Sequence, residues 1–175
     1  NSVRAWWAKN GRGDRLLLSF HGLPQKYFLA GDPYFCQCQA TARLLREALD
    51  MPEEACTVTF QSRVGPTRWL EPYTDVTVQA LGQAGMGRLD VLCPGFAVDC
   101  LETLEEIAMQ NAERFHAAGG GELRYIPALN DADEHIAALA AVVREHLGGW
   151  RATLADDESA RAATAARARA LGAPR

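Results

Sequence analysis

The sequence predicts an α/β protein: a three-layer α/β/α sandwich with a four-stranded parallel sheet. Two observations carry this. Residues 16–20 (Leu-Leu-Leu-Ser-Phe) form a short, nearly continuous apolar run, the pattern of a strand buried on both faces, and similar short runs recur at 56–60, 89–92 and 123–126. Helical stretches joined by short loops lie between them, the alternation that a parallel sheet with crossover helices requires.

The 175 residues suit one domain with a sizeable core, and 48% apolar with 23% charged residues is an ordinary globular composition. A net charge of −4 without a Lys/Arg block gives no general reason to bind nucleic acid. No apolar run approaches the ~18 residues of a membrane span, and no signal peptide opens the chain. Its first residue is Asn rather than Met, which suggests a piece of a longer protein. Five cysteines, an odd number without Cys-x-x-Cys pairs, point to a reducing, cytoplasmic compartment.

Residues 1–15, with Trp6-Trp7 and a Gly/Asp/Arg loop, read as a helix end. The first strand stops at His21-Gly22-Leu23-Pro24, a break rich in turn residues. Asp32 then caps a helix with Pro33 in its first position, running to about Leu49 with Ala42, Leu45 and Leu49 on one face. Cys56 opens the second strand, which alternates and carries β-branched residues; a loop over 61–66 follows at its carboxyl end. Thr74 or Asp75 starts the next helix, which fades at Gly85 and Gly87. The third strand breaks at Pro94-Gly95, and a helix is expected to open at Asp99, with Glu102 three residues later in capping-box spacing, and to end near 119–121. The fourth strand is followed by a helix from Asp131 to Leu147, stopped by Gly148-Gly149. Residues 1–150 are therefore expected to form the α/β domain, and 151–175, Ala- and Arg-rich, a disordered tail or surface helix.

The chemistry-bearing residues gather at one edge. His21 follows a buried strand, which places its imidazole at the carboxyl edge, where open α/β sheets bind ligands. It reads either as a ligand-binding group or as a histidine bonded to a neighbouring loop. Glu102 reads as a cap or as a site carboxylate. Glu106, one turn further on, reads as a solvated face or as the next rung of a carboxylate ladder. Carboxylates with an imidazole suit Fe(II) and related divalent ions, and so few ligands would make a transit site rather than a store. Arg63 is a candidate partner for a substrate carboxylate, with Trp69 and Tyr73 nearby; for each, core packing or a local salt bridge competes. His116, His135 and His146 read as surface residues, and Cys93 and Cys100 as small buried ones.

Four stretches together resemble ferrochelatases: Ser19-Phe20-His21-Gly22-Leu23-Pro24, Gly31-Asp32-Pro33-Tyr34, residues 60–66 with Trp69-Leu70, and residues 94–106 (Pro-Gly-Phe-Ala-Val-Asp-Cys-Leu-Glu-Thr-Leu-Glu-Glu). The wording is similar to the proteobacterial branch, and the resemblance runs from about Asn1 to Leu147. It implies insertion of ferrous iron into protoporphyrin IX, the last step of haem synthesis, by two similar chelatase-like (Rossmann-like) halves with the porphyrin between them. This chain resembles the carboxyl-terminal half, so its partners would be protoporphyrin IX, Fe(II) and the amino-terminal half; peripheral membrane contact stays open. His21 matches the family's active-site histidine, Glu102 its active-site glutamate, and Glu106 the second acidic position. Catalytic roles thus fall to His21 and Glu102, metal contact to His21, Glu102 and Glu106, and substrate contact to Arg63, Trp69 and Tyr73. Cys100 stands where animal enzymes carry a histidine. Some family members hold a [2Fe–2S] cluster, in animals through a cysteine-rich tail; this tail has no cysteine, so no cluster and no other prosthetic group is expected. The alternatives are a cobalt- or sirohydrochlorin-type chelatase and an inactive metal- or porphyrin-binding half-domain.

Overall fold

The computed structural model describes residues 1–149 and 158–173. Helix α1 (Ser2–Asn10) leads into β1 (Arg15–His21), and the short α2 (Gln25–Leu29) and the long α3 (Tyr34–Ala48) carry the chain back to β2 (Cys56–Gln61). Then follow α4 (Thr74–Gln83), β3 (Arg88–Leu92), and a broken helix made of α5 (Leu101–Leu104), a π-helical stretch (Glu106–Asn111) and α6 (Ala112–Ala117). β4 (Glu122–Ile126) and α7 (Asp133–His146) complete the alternation, and α8 is Glu158–Ala170. Residues 1–135 form one compact unit and 136–175 a second. The expected tail falls in the second, where residues 151–157 and 174–175 lie outside the described set.

The sheet has the order β2-β1-β3-β4 with every neighbouring pair parallel, as the alternation predicted. Leu16 pairs with Cys56 and His21 with Gln61; Leu18 pairs with Leu92, and Leu92 with Ile126. Period-two alternation divides the apolar run of β1 between two cores. Leu16, Leu18 and Phe20 pack with Val3, Cys38, Ala42, Phe60 and Ile126 beneath α1 and α3. Leu17 turns the other way, joining Val78, Leu89, Val91, Ile107 and Phe115 under α4 and the broken helix. Three layers result, and the central strands are buried on both faces.

Several boundaries differ from the sequence reading. His21 is the last residue of β1 rather than the first of the loop, so the ladder fixes its backbone. Pro33, not Asp32, is the residue before the first helical position of α3; Asp32 still accepts a bond from the Tyr34 N–H (2.8 Å). The expected continuous helix from Asp99 starts at Leu101 and is interrupted by the π-helical stretch, in which Gln110 N–H reaches back five residues to Glu105 C=O (2.9 Å).

Candidate functional site

From β1 the chain crosses one face of the sheet to β2, whereas from β3 it crosses the other face to β4. The carboxyl ends of β1 and β3 therefore flank a topological switch point, where the two connections diverge and leave a crevice. A cavity of ≈ 580 Å³ opens there, with His21, Gln61, Ser62, Arg63, Glu102 and Glu106 among its lining residues.

His21 is half-buried. Its Nδ1 lies 2.8 Å from the Gly22 carbonyl oxygen. A carbonyl only accepts, so the neutral ring carries its hydrogen on Nδ1 and leaves the Nε2 lone pair free. Tyr34 donates its hydroxyl to the His21 carbonyl (2.8 Å), and the Phe96 ring centroid stands 6.3 Å from the imidazole. Gly22 holds this corner because it has no side chain: its N–H donates to Gln61 C=O (2.8 Å), and a Cβ would stand 2.9 Å from that oxygen and 3.1 Å from the Trp69 ring.

Glu102 sits in the first turn of α5 at the cavity's edge. A hydrogen bond from the Cys100 thiol, then one from its own backbone N–H, hold its carboxyl below the ordinary glutamate range; His21 adds to this when it carries a proton. It is thus a carboxylate in the resting protein. The expected capping box is corrected here. Cys100 is the N-cap, and Thr103, not Glu102, closes the box by accepting the Cys100 N–H (3.0 Å). Asp99 is unavailable as the cap because its carboxylate is engaged elsewhere, by Tyr125 Oη (2.6 Å), Asn130 Nδ2 (2.8 Å), Thr103 Oγ1 (3.2 Å) and Ala128 N–H (3.2 Å). Burial works to raise its carboxyl, but these bonds outweigh it and the net direction is downward. Glu102, outside the capping box, is among the residues that line the cavity.

Glu106 also lines the cavity, and its carboxylate is tied across to the end of β2. It accepts Ser62 N–H at Oε1 (2.8 Å) and Ser62 Oγ–H at Oε2 (2.6 Å). Ser62 adopts φ +63°, a left-handed backbone that aims both donors the same way. Among the described residues no three His, Cys, Asp or Glu side chains are grouped to hold a metal ion, so His21, Glu102 and Glu106 are not a preassembled ligand set.

The other three expected residues are built into the wall. Arg63 makes a two-pronged ion pair with Asp75 (2.7 and 2.8 Å) and lies over the Tyr73 ring at 4.2 Å. Trp69 donates its indole N–H to Val64 C=O (3.0 Å) and packs behind Gly22. Neither Trp69 nor Tyr73 lines the cavity, whereas Arg63 does. Gln61, Ser62, Asp75 and Asn111 line it as well and were not singled out by the sequence; the Gln-Ser pair directly after an apolar strand was the available signal. His116 and His146 are exposed and Cys93 is buried, as read from the sequence; His135 and Cys100 are half-buried.

A family model described as ferrochelatase matches residues 1–147. Curated proteins similar to this chain include the ferrochelatase of Thioalkalivibrio sulfidiphilus, 59% identical over 98% of the chain and 47% of its own length. Those of Nitrosococcus oceani (59%, over 85% and 40%) and Aromatoleum aromaticum (52%, over 99% and 48%) are similar too. The chain spans about half the length of the curated relatives it matches. A solved structure of a CbiX protein, assigned to cobalamin (vitamin B12) biosynthesis in Marinobacter aquaeolei VT8, aligns with TM-score 0.49 at 19% identity, over 77% of this chain and 97% of that one.

Proposed function

This chain belongs to the ferrochelatase family, and from that premise we propose that it is the carboxyl-terminal half of an enzyme inserting Fe(II) into protoporphyrin IX. The amino-terminal half of the longer protein supplies the opposite wall. Iron is substrate here, and the proposal includes no resident cofactor. It places the reaction in the cytoplasm, in keeping with five cysteines that are all free. No helix among the described residues is long and apolar enough to cross a membrane.

The observation that carries the reading is the pairing, on one cavity at the switch point, of a free imidazole nitrogen with an ionised carboxylate. Metallation removes water from Fe(II) and releases two pyrrole protons as the metal–nitrogen bonds form. His21 Nε2 has the lone pair either step needs, as proton acceptor or as a passing ligand. Glu102, already ionised, attracts the divalent cation and stabilises the imidazolium if His21 takes a proton. Glu106, the third expected metal contact, keeps the helix turned toward Ser62 and offers a cation the lone pairs that Ser62 leaves unused. Arg63, held by Asp75, meets a porphyrin carboxylate only by exchanging that partner; Trp69 and Tyr73 support the substrate wall from behind.

The test is haem formation from Fe(II) and protoporphyrin under reducing conditions, by the full-length protein beside this fragment. Activity in the full-length protein alone supports the two-wall reading. Equal rates in both overturn it. Product analysis with Co(II) and sirohydrochlorin separates the related chelatases.

A further inference from the structure

Gln61 is buried at the end of β2, and its amide reaches β1, the residue after β3 and the first turn of α5. Its Oε1 accepts Ser19 Oγ–H of β1 (2.7 Å) and, more loosely, the Cys93 thiol after β3 (3.4 Å). Its Nε2 donates to the Glu102 backbone carbonyl (2.6 Å), with Glu106 Oε2 and Ser62 Oγ each 3.4 Å away. The amide orientation is fixed by these partners, since the Glu102 carbonyl accepts and cannot donate. Ser19 in turn meets Thr74, whose hydroxyl donates to Thr59 (2.9 Å), so the network runs from α4 through the sheet to α5. A buried primary amide with both ends satisfied is a rigid spacer.

We propose that Gln61 is the positioning residue of Glu102, setting the first turn of α5 relative to His21 by holding the Glu102 carbonyl on the carboxyl end of β2. His21 pairs with Gln61 across the ladder, so one residue is registered to the imidazole through its backbone and to the glutamate through its side chain. The inference rests on the reading of His21 and Glu102 as the reacting pair.

Two variants of the full-length protein test it, after thermal melting shows that each is folded. Gln61→Met keeps the length and removes the donor; Gln61→Glu keeps the acceptor for Ser19 and loses the donor while ionised. In Gln61→Met, kcat for haem formation falls about ten- to hundredfold, as for residues that orient a ligand from behind, with porphyrin KM nearly unchanged. In Gln61→Glu, the activity relative to wild type recovers as pH is lowered, because the protonated acid can again donate to the Glu102 carbonyl. The new carboxyl faces the Glu106 carboxylate, whose like charge favours that protonation, while the Ser19 hydroxyl and the Cys93 thiol donate to it and favour the ionised form. Wild-type kcat in a folded Gln61→Met overturns the proposal, as does an identical pH profile for both variants. A second readout needs no turnover: the Glu102 backbone carbonyl carbon, which accepts from Gln61 Nε2, changes its NMR chemical shift in Gln61→Met, and the His21 ring signals shift with it as the first turn of α5 moves. Unchanged shifts overturn the positioning role. Inactivity of the wild type itself would instead strike the functional reading, leaving the chemical shifts to judge Gln61.

Discussion

The two ends of the sheet treat charge in opposite ways. Toward the amino end, beneath α1, Asp90 is 1% exposed and fully engaged: Trp7 Nε1 (2.7 Å) and Gly13 N–H (2.8 Å) donate to one oxygen, Arg124 Nε (2.8 Å) to the other. Arg124 also donates from its two terminal nitrogens to the Asn10 and Gly11 carbonyls (2.7 and 3.0 Å). Together these bonds tie the segment preceding β1 to β3 and β4 and join β3 to β4. At the carboxyl end, His21 keeps Nε2 free and Glu102 keeps its carboxylate on the cavity. A charge with all its partners inside the fold stabilises; one with open valences toward a cavity is available for chemistry. Both ends are made of ordinary polar residues, and completion of the bonding separates them.

The contrast breaks most visibly at His21. On the proposed reading, His21→Ala should lower kcat/KM for haem formation by the full-length protein about 10²–10⁴-fold, the range for a positioned acid–base group, with unchanged melting. An unchanged rate would remove His21 from the reaction. Asp90→Ala should do the reverse. It leaves the Arg124 guanidinium buried without a counter-charge, costing about 3–5 kcal/mol in urea unfolding while the specific activity of the folded fraction is kept. A loss of specific activity would mean that the two ends are coupled.

Asp99 sharpens the comparison through pH. Its folded-state carboxyl lies below the ordinary value, so the stability it contributes is complete above the unfolded value of ~3.9 and is lost as pH falls through the lower folded one. Asp99→Asn should flatten the acid limb of the stability–pH curve, measured by melting from neutrality downward; an unaltered limb would show that the Tyr125 and Asn130 bonds are immaterial. The smallest effect belongs to Asp75→Asn. The Arg63 pair is partly exposed, so stability should change by less than about 1 kcal/mol. Releasing the guanidinium should lower porphyrin KM; an unchanged KM would assign Arg63 to the wall alone.

The parallel sheet was legible because each strand is a compact apolar run closed by turn residues, a pattern that survives without tertiary information. The position of His21 followed from the same pattern. What was not legible depended on distant contacts. Asp99 has the residue type of a helix cap, yet Tyr125, Ala128 and Asn130, some 26 to 31 positions away, take its oxygens and pass the capping to Cys100 and Thr103. Glu106 has helical spacing to Glu102, but its tie to Ser62 crosses 44 positions. Arg63 has the composition of a substrate contact, and its ion pair with Asp75, on the next helix, left no local trace in the sequence. For Gln61 the local mark was only the Gln-Ser pair after an apolar strand; its amide's partners on α5 and the stretch after it lie 41 to 45 positions away, and the one on β1 lies 42 away.

The bond from His21 Nδ1 to the Gly22 carbonyl has a consequence for engineering. The main chain, rather than any side chain, dictates which imidazole nitrogen faces the cavity. Every amino acid at position 22 would bring the same oxygen, so a mutational library cannot swap the reactive nitrogen by changing a partner's identity. Moving the peptide is the one available handle, and Gln61 and Trp69 crowd it from two sides. The proton inventory of this histidine is written into chain geometry, where a comparison of side chains does not read it.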